Sequence, residues 1–207
     1  MKNRLSQDNL YKWLEKSREY GFLSPQPIED QIEHSQSFIE LIPNLKGRVL
    51  DLGAGGGLPG FVILALSDVE LTALDAMRKR TDFLEEFRTD CEMQNRFHIV
   101  NGRAEELSTV EGYKGNFDYI VSRGFGSPAY TAECSANFLK IDGVLVVSGR
   151  PEKEEARWNE EGLNKLGLSL DRVVGSDKAH IALIRKVKET PEMFPRSNSS
   201  IKKSPLW

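Results

Sequence analysis

The stretch RVLDLGAGGGLPGF, residues 48–61, is the most informative segment of this chain for its fold. Its first five residues suit a strand, and glycine then occupies four of the five positions from 53 to 57. A short apolar run that ends in a glycine-rich turn predicts a buried strand followed by a loop of bare backbone. Because glycine allows close approach to the backbone, the question is which group lies against this loop.

Short apolar runs and segments of helical spacing alternate after this stretch. The alternation predicts an α/β fold with a mostly parallel, Rossmann-like sheet covered by helices on both faces. Only the three residues 176–178 separate the last two strands, which predicts a terminal antiparallel hairpin. The predicted strands are 48–52, 70–75, 96–101, 117–122, 143–149, 168–175 and 179–187, and the predicted helices of this part are 60–67, 77–93, 103–108, 127–139 and 152–166.

The two ends of the chain differ from this alternating part. Apolar residues at helical spacing over 9–20 and 28–42 predict a short N-terminal helical segment, residues 1–45. Residues 188–207 contain prolines, serines and lysines without periodicity, so we expect a basic C-terminal tail that buries little apolar surface. The segment between them, residues 46–187, is then the main domain.

The composition limits the classes of function. No apolar run approaches the roughly 20 residues of a membrane-spanning helix, and the N-terminus lacks the apolar region of a secretory signal. Cys91 and Cys134 belong to no CxxC pair and are expected to be buried, inert thiols. A formal net charge of −3 argues against attraction of the whole surface to nucleic acid but leaves local basic patches open. We therefore expect a cytoplasmic protein that does not bind membranes or DNA.

The glycine loop does not have the pattern of a phosphate site. No Gly-Lys-Ser/Thr follows it, and the third glycine of a dinucleotide motif would fall at Leu58. Asp51, two residues ahead of Gly53, would repel a pyrophosphate at the N-terminus of the next helix. S-adenosylmethionine carries a cationic amino group, a sulfonium and no phosphate, so its methionyl end would be attracted. The loop therefore predicts S-adenosylmethionine as the cofactor.

A second carboxylate supports this prediction. Asp75 ends the second predicted strand, 22 residues after Gly53, where it would accept hydrogen bonds from ribose hydroxyls. The predicted cofactor-binding set from the loop and this strand end is Asp51, Gly53, Gly55, Gly57 and Asp75. The alternative is a structural glycine turn with two solvated aspartates.

Two further stretches follow the third and fourth predicted strands. In NGRAEEL, the backbone near Ala104 could read the amine of an adenine, and VSRGFGSPAY places Arg123 where the transferring methyl would lie. The second stretch lacks Asn-Pro-Pro-Tyr, Pro-Cys and a nearby histidine, so the acceptor should already hold an available lone pair. Guanine N7 fits, because transfer to it needs alignment rather than a general base. The alternative for Arg123 is a surface ion-pair residue.

Several motifs together resemble the glucose-inhibited division protein B family, the bacterial 16S ribosomal RNA guanine-N7 methyltransferases. They are LDLGAGGGLPG, ALDAMRKRTDFLEEF, GRAEEL, FDYIVSRGFGS and FPRSNSSIKKSPLW, and the resemblance covers roughly residues 46–207. It implies a class I S-adenosylmethionine-dependent methyltransferase fold and cofactor contacts at Gly53, Leu58, Ala104, Glu105 and Arg123. The chain departs from the family in its N-terminal segment and at Gly124, where the family commonly has alanine.

The sequence thus predicts a monomeric methyltransferase acting on guanine N7 of 16S rRNA, free or in the 30S subunit, with Arg123 as the catalytic residue and without a metal. One alternative is a diverged methyltransferase for a small molecule or a protein, which the net negative charge and the altered N-terminal segment favour. Another is a non-catalytic module that binds RNA or the cofactor.

Basic residues in the main domain and the tail are candidates for RNA phosphate contacts. In the tail, Phe194, Leu206 and Trp207 stand among lysines and an arginine, which predicts stacking on bases. The candidate phosphate contacts are Arg78, Lys79, Arg80, Arg123, Arg150, Arg196, Lys202 and Lys203.

Overall fold

A computed structural model describes residues 4–42, 45–149, 157–175 and 180–207. The chain divides into two compact units, Met1–Gly102 and Arg103–Trp207. The first part of the helix predicted over 152–166 and the turn of the predicted hairpin lie outside the described residues.

The described part of the first unit alternates helices with parallel strands. The strand order is β3-β2-β1. Every residue of β1 after Arg48 is buried, as expected for a strand covered on both faces. The elements are α1 (Gln7–Glu19), α2 (Ile28–Glu40), β1 (Arg48–Leu52), α3 (Gly60–Leu66), β2 (Glu70–Asp75), α4 (Arg78–Asp90) and β3 (Phe97–Asn101).

Helix α1 forms where the apolar spacing predicts it. The Ser6 hydroxyl caps its N-terminus by accepting a hydrogen bond from the Asn9 amide at 3.2 Å. Leu10, Trp13 and Leu14 are buried on one face of the helix, which is the pattern of an amphipathic helix lying on a core. The Trp13 ring packs edge-on against two phenylalanine rings of α4.

The second unit contains the strands that complete the mostly parallel, seven-stranded mixed sheet. Strands β4 and β5 run parallel, whereas β7 runs antiparallel to both β5 and β6, which confirms the predicted α/β sheet and its terminal antiparallel pair. The elements are α5 (Ala104–Leu107), β4 (Phe117–Arg123), α6 (Pro128–Ser135), β5 (Leu139–Gly149), α7 (Glu160–Lys165), β6 (Leu168–Gly175), β7 (His180–Lys186) and α8 (Asn198–Lys203).

The start of β5 differs from the prediction. Helix α6 ends at Ser135 and β5 already begins at Leu139, whereas the apolar pattern predicts a helix up to residue 139 and a strand from 143. The register between β4 and β5 shifts between Phe117 and Tyr119. Such an irregularity lets the chain continue a strand across a polar Asp-Gly pair that interrupts the apolar pattern.

The expectation that residues 188–207 bury little apolar surface is wrong. Phe194 is 6% exposed and Ile201 is 1% exposed, and Ile201 lies on a helix, α8, that the sequence analysis did not predict. The indole nitrogen of Trp207 donates a hydrogen bond to the Arg157 carbonyl at 2.8 Å. These residues are far apart in sequence from the residues they contact and do not form the regularly spaced apolar face of a long helix. Their burial therefore could not be predicted from a sequence pattern.

An ion pair links the C-terminal residues to α6. The carboxylate of Glu133, whose side chain is 0% exposed, accepts hydrogen bonds from three nitrogens of Arg196: the backbone amide at 2.9 Å, Nε at 2.8 Å and Nη2 at 2.6 Å. The guanidinium beside this carboxylate has its pKa raised by the hydrogen bond. Since Arg196 is occupied in this way, it is not a free cation for RNA phosphates.

A lysine is buried in the core of the second unit. Lys186 on β7 is 1% exposed, and its ammonium donates a hydrogen bond to the Ala136 carbonyl at 2.8 Å and contacts the Thr190 hydroxyl. Desolvation lowers the pKa of Lys186 from 10.5 to about 8. Between pH 8 and pH 10.5 the unfolded chain therefore holds this proton more often than the folded protein does, so this group makes folding more favourable as the pH rises.

Replacing Lys186 with methionine is expected to remove this contribution. The stability of the variant relative to the wild type should decrease as the pH rises from 8 to 10.5, by at most about 1.4 kcal/mol per pH unit. The measurement is urea unfolding of both proteins at several pH values. A stability difference that stays constant over this range would show that Lys186 is charged in the folded protein.

Candidate functional site

In the first unit, the glycine loop joins β1 to α3 and needs glycine at three positions for its backbone. Gly53, Gly55 and Gly57 have φ angles of 75°, 55° and 100°, a region that other L-residues rarely adopt. The amides of Gly53 and Ala54 both donate to the Leu74 carbonyl, at 2.8 and 3.1 Å, and so hold the loop against the end of β2.

Other glycines of this loop are packed against the protein itself. The Gly56 carbonyl accepts a hydrogen bond from the Ser17 hydroxyl at 2.8 Å, and a Cβ at Gly56 would overlap that hydroxyl. A Cβ at Gly57 would overlap the ring of Phe61. At Gly55, by contrast, a Cβ would meet only the Gly53 carbonyl within 4 Å, at 3.7 Å. Of Gly55, Gly56 and Gly57, Gly55 is therefore the one that leaves room for a ligand.

Asp51 is 1% exposed and holds the start of α3. Its Oδ2 accepts a hydrogen bond from the Gly60 amide, the first residue of that helix, at 3.0 Å. A carboxylate at this position stabilises the unpaired amides and the positive end of the helix dipole. The structure thus assigns Asp51 a role in forming the loop, and a contact with the methionyl end of the cofactor stays a prediction.

Asp75 lies beside the glycine loop with its carboxylate fixed in place. The side chain is 4% exposed, Oδ2 accepts a hydrogen bond from the Gly55 amide at 2.9 Å, and Oδ1 accepts one from the Met77 amide at 2.8 Å. The guanidinium of Arg80 lies 3.4 Å from Oδ2. Asp75 and Gly55, 20 residues apart, are therefore direct partners, as a shared cofactor site requires.

In the second unit, Ala104 and Glu105 begin the short helix α5. They are 4% and 8% exposed, and Glu105 Oε1 accepts a hydrogen bond from Arg103 Nε at 2.5 Å. Burial raises the pKa of Cys134 to about 12, and the negative charge of Glu105 makes the next largest contribution. The Cys134 thiol is therefore protonated near neutral pH, which agrees with the prediction of a buried, inert thiol.

The aromatic side chain of Tyr130 lies in the same part of the second unit. Burial, with smaller contributions from the Cys134 thiol and the Glu105 carboxylate, raises the pKa of Tyr130 to about 12. Its hydroxyl donates a hydrogen bond to Asn198 Oδ1 on α8 at 3.1 Å. The sequence analysis did not name Tyr130 as a site residue, although Tyr130 is the last residue of the stretch VSRGFGSPAY that follows the fourth strand.

Arg123 is the last residue of β4 and is half-buried. It lines a groove that we call the strand-end groove, formed by residues 123–127 and 147–149 together with Arg157. This groove lies at the carboxyl ends of two parallel strands, where open α/β sheets bind their ligands. The described residues that line it include two arginines and no acidic residue, so it is suited to an anionic ligand.

The predicted basic residues differ in how they are engaged. Arg80 lies at Asp75, Arg196 is paired with Glu133, and Arg78 forms an exposed pair with Asp82 at 3.2 Å. Lys202 and Lys203 are exposed on α8, and Arg150 lies outside the described residues. The lysines of α8 are thus better placed for RNA phosphates than the tail arginine.

Among the residues that the structure describes, no three or more histidine, cysteine, aspartate or glutamate side chains are grouped so that they could hold a metal ion. Within the same residues, no helix has the length and apolar character to cross a membrane.

Comparison with known proteins identifies a family and its relatives. A family model described as rRNA small subunit methyltransferase G matches residues 12–184. The match begins within α1, so it extends further towards the N-terminus than the resemblance over 46–207 indicated. A protein of Alkaliphilus oremlandii named ribosomal RNA small subunit methyltransferase G is 32% identical over 169 residues, which cover 78% of this chain and 70% of that protein.

Solved structures share the fold. A Methanococcus maripaludis protein described as a candidate S-adenosyl-L-methionine-dependent methyltransferase superposes with a TM-score of 0.65 at 16% identity, covering 92% of this chain and 99% of that chain. A ribosomal-protein methylase of Lactobacillus delbrueckii superposes with a TM-score of 0.60 at 18% identity, covering 76% and 79% of the two chains. These similarities confirm the predicted class I methyltransferase fold.

Proposed function

This chain belongs to the rRNA small subunit methyltransferase G family, the family that its motifs predict, and we propose on that basis that it methylates N7 of a guanine in 16S rRNA. The observation that carries the proposal is the family match over residues 12–184, which spans the glycine loop, Asp75, the α5 residues and Arg123. The cofactor is S-adenosylmethionine, which supplies an electrophilic methyl group on a sulfonium.

We propose that the glycine loop and Asp75 bind the adenosine part of this cofactor. The Asp75 carboxylate is held by two backbone amides, so its remaining lone pairs keep one orientation and can accept hydrogen bonds from the ribose hydroxyls without reorganisation. The open side of Gly55 allows the close approach that the cofactor needs. We propose that Asp51 lies near the methionyl end of the cofactor. The proposed binding set is completed by Gly53, Gly57, Leu58, Ala104, Glu105 and Arg123.

The reaction needs few groups from the protein. The N7 lone pair of guanine attacks the methyl carbon, the bond from carbon to sulfur breaks, and the purine takes up the positive charge while the sulfur becomes neutral. No proton leaves N7, so the protein must align the acceptor and exclude water rather than provide a base. The protonated Cys134 and Tyr130 side chains agree with this requirement.

The test is methylation by the purified protein with labelled S-adenosylmethionine. Substrates are naked 16S rRNA and 30S subunits from a strain that lacks the gene, followed by mass spectrometry of the nucleosides. We expect 7-methylguanosine to appear in one or both. Transfer only to a protein or a small molecule would favour the diverged methyltransferase, and cofactor binding without transfer would favour a non-catalytic module.

The remaining assignments extend this proposal. We propose that residues 46–187 carry the methyltransferase activity, with an N-terminal helical segment over 1–45 and a C-terminal segment over 188–207. We further propose a cytoplasmic monomer that does not bind DNA or membranes. Analytical ultracentrifugation of the purified protein, with and without RNA, tests the monomeric state.

Replacing Asp75 with alanine is expected to weaken cofactor binding by about 1–3 kcal/mol, the range for losing hydrogen bonds to a charged group. Isothermal calorimetry with S-adenosylmethionine measures this, and NAD should not bind the wild type. The matched control is Asp82→Ala, an exposed carboxylate on the neighbouring helix α4, which should bind the cofactor normally. Equal affinities of the Asp75 variant and the control for S-adenosylmethionine would show that Asp75 does not bind the cofactor.

A further inference from the structure

A second groove of the second unit includes part of the loop that follows β4. It is formed by residues 125–127 with Tyr130, Ile201, Lys202 and Pro205, and we call it the tail groove. Residues 125–127 line both the tail groove and the strand-end groove. The two grooves therefore lie next to each other at this loop, and Arg123 lines the strand-end groove.

The tail groove combines aromatic rings with a cation. The rings of Phe125 and Tyr130 are 5.4 Å apart at an angle of 38°, and the Lys202 ammonium lies 6.0 Å from the Tyr130 ring centre. The hydrogen bond from Tyr130 to Asn198 fixes this ring relative to α8. Ile201 is buried beneath the groove, so α8 is held in place by the core.

Among the described residues that line the two grooves, the charged side chains are all cationic. The described residues that line the two grooves include Arg123, Arg157 and Lys202 and no acidic side chain. Within the described part of the chain, Lys202 forms no ion pair and is exposed. An exposed lysine beside two aromatic rings presents a contact for a phosphate next to a surface for a base, which is the arrangement of single-strand nucleic acid binding.

We propose that the tail groove binds an unpaired nucleotide of single-stranded RNA next to the target guanine, with its base against Phe125 and a phosphate at Lys202. This inference rests on the proposed function, because it places the RNA beside the acceptor. The residues proposed to bind RNA differ from the tail residues that the sequence predicted for this role, because Phe194 is buried and Arg196 is paired with Glu133. The stacking residue comes from the loop after β4 and only the cation comes from the C-terminal segment.

The discriminating experiment compares Lys202→Gln with Lys203→Gln. Both lysines are exposed neighbours on α8, so both variants lose the same charge, but only Lys202 lines the tail groove. The probe is a single-stranded RNA of about 12 nucleotides, titrated at several salt concentrations. We expect Lys202→Gln to lower the affinity about tenfold at low salt and to reduce the slope of log K against log salt by about 0.7, with little change in Lys203→Gln.

A third variant tests the stacking surface. Phe125→Leu keeps an apolar side chain but removes the aromatic face, and it should lower the RNA affinity about tenfold. For Lys202→Gln, the KM for 30S subunits should rise while kcat at saturating subunits and the cofactor affinity stay unchanged.

Equal RNA affinities and salt slopes for Lys202→Gln and Lys203→Gln would overturn the proposal, as would unchanged binding by Phe125→Leu. A lower affinity for 30S subunits with unchanged affinity for the RNA would also overturn it, because the groove would then contact a ribosomal protein. If the wild type does not methylate rRNA but the difference between the two lysine variants persists, the groove binds RNA and only the proposed function fails.

Discussion

Replacing Arg123 with alanine is expected to reduce the rate of methyl transfer by about 10²-fold or more, the scale for losing a group that positions reactants. Arg123 ends β4 in a groove with a second arginine and no acidic lining residue among those described. A donor on N7 would occupy the lone pair that must attack, so we expect the guanidinium to contact the cofactor, O6 or a phosphate. Single-turnover methylation of 30S subunits or rRNA measures the effect.

One further variant tests whether the geometry of the Arg123 contact matters, and another serves as a matched control. Arg123→Lys should not restore the rate if a planar, forked contact is needed. Arg185→Ala removes an exposed arginine from β7 of the same unit and should methylate at the wild-type rate. Circular dichroism is the folding control. Near-normal turnover of the Arg123→Ala protein would mean that Arg123 is only a surface residue.

Replacing Arg196 with methionine is expected to destabilise the protein by about 3–5 kcal/mol, the range for breaking a buried ion pair from one side. The reason is that the fully buried Glu133 carboxylate would lose its charged partner. Removal of the whole segment 195–207 would cause the same loss and would also uncover core residues. The deletion would therefore not distinguish a loss of RNA binding from a loss of stability.

Urea unfolding of a set of variants separates the charge effect from lost packing. The double variant Glu133→Gln with Arg196→Met should be more stable than Arg196→Met alone, because no unpaired charge stays buried. Arg78→Met breaks an exposed pair on α4 and should change the stability by less than about 1 kcal/mol. Similar small losses for Arg196→Met and Arg78→Met would contradict the importance of the buried pair.

The sheet could be predicted because its signals are local. Strands β1, β2 and β6 have the predicted bounds, since a continuous apolar run and the polar or glycine residues that end it are all close in sequence. The same holds for the glycine loop, where three positive φ angles coincide with glycines. The hydrogen bond between Asp75 and Gly55 could also be anticipated from the sequence, because the carboxyl ends of adjacent parallel strands meet at one edge of the sheet.

The contacts of the two aspartates could be distinguished only in the structure. Both were predicted as cofactor ligands, Asp51 from its charge two residues ahead of Gly53 and Asp75 from its position at the end of the second strand. Asp51 lies under the Gly60 amide at the start of α3, whereas Asp75 lies beside the open face of Gly55. The direction of a side chain at a strand end depends on how the following turn folds, and spacing along the chain does not contain that information.

The α/β class, the order of the strands, the glycine loop and the family could be predicted from the amino-acid sequence, because each depends on residues that are neighbours in the chain. The packing of the C-terminal segment in the second unit could be seen only in the folded protein, where Arg196 pairs with Glu133 across 63 positions and Lys186 is buried against Ala136. Burial of a charge is unfavourable unless a partner is present, and that partner is brought near by folding rather than by its place in the sequence.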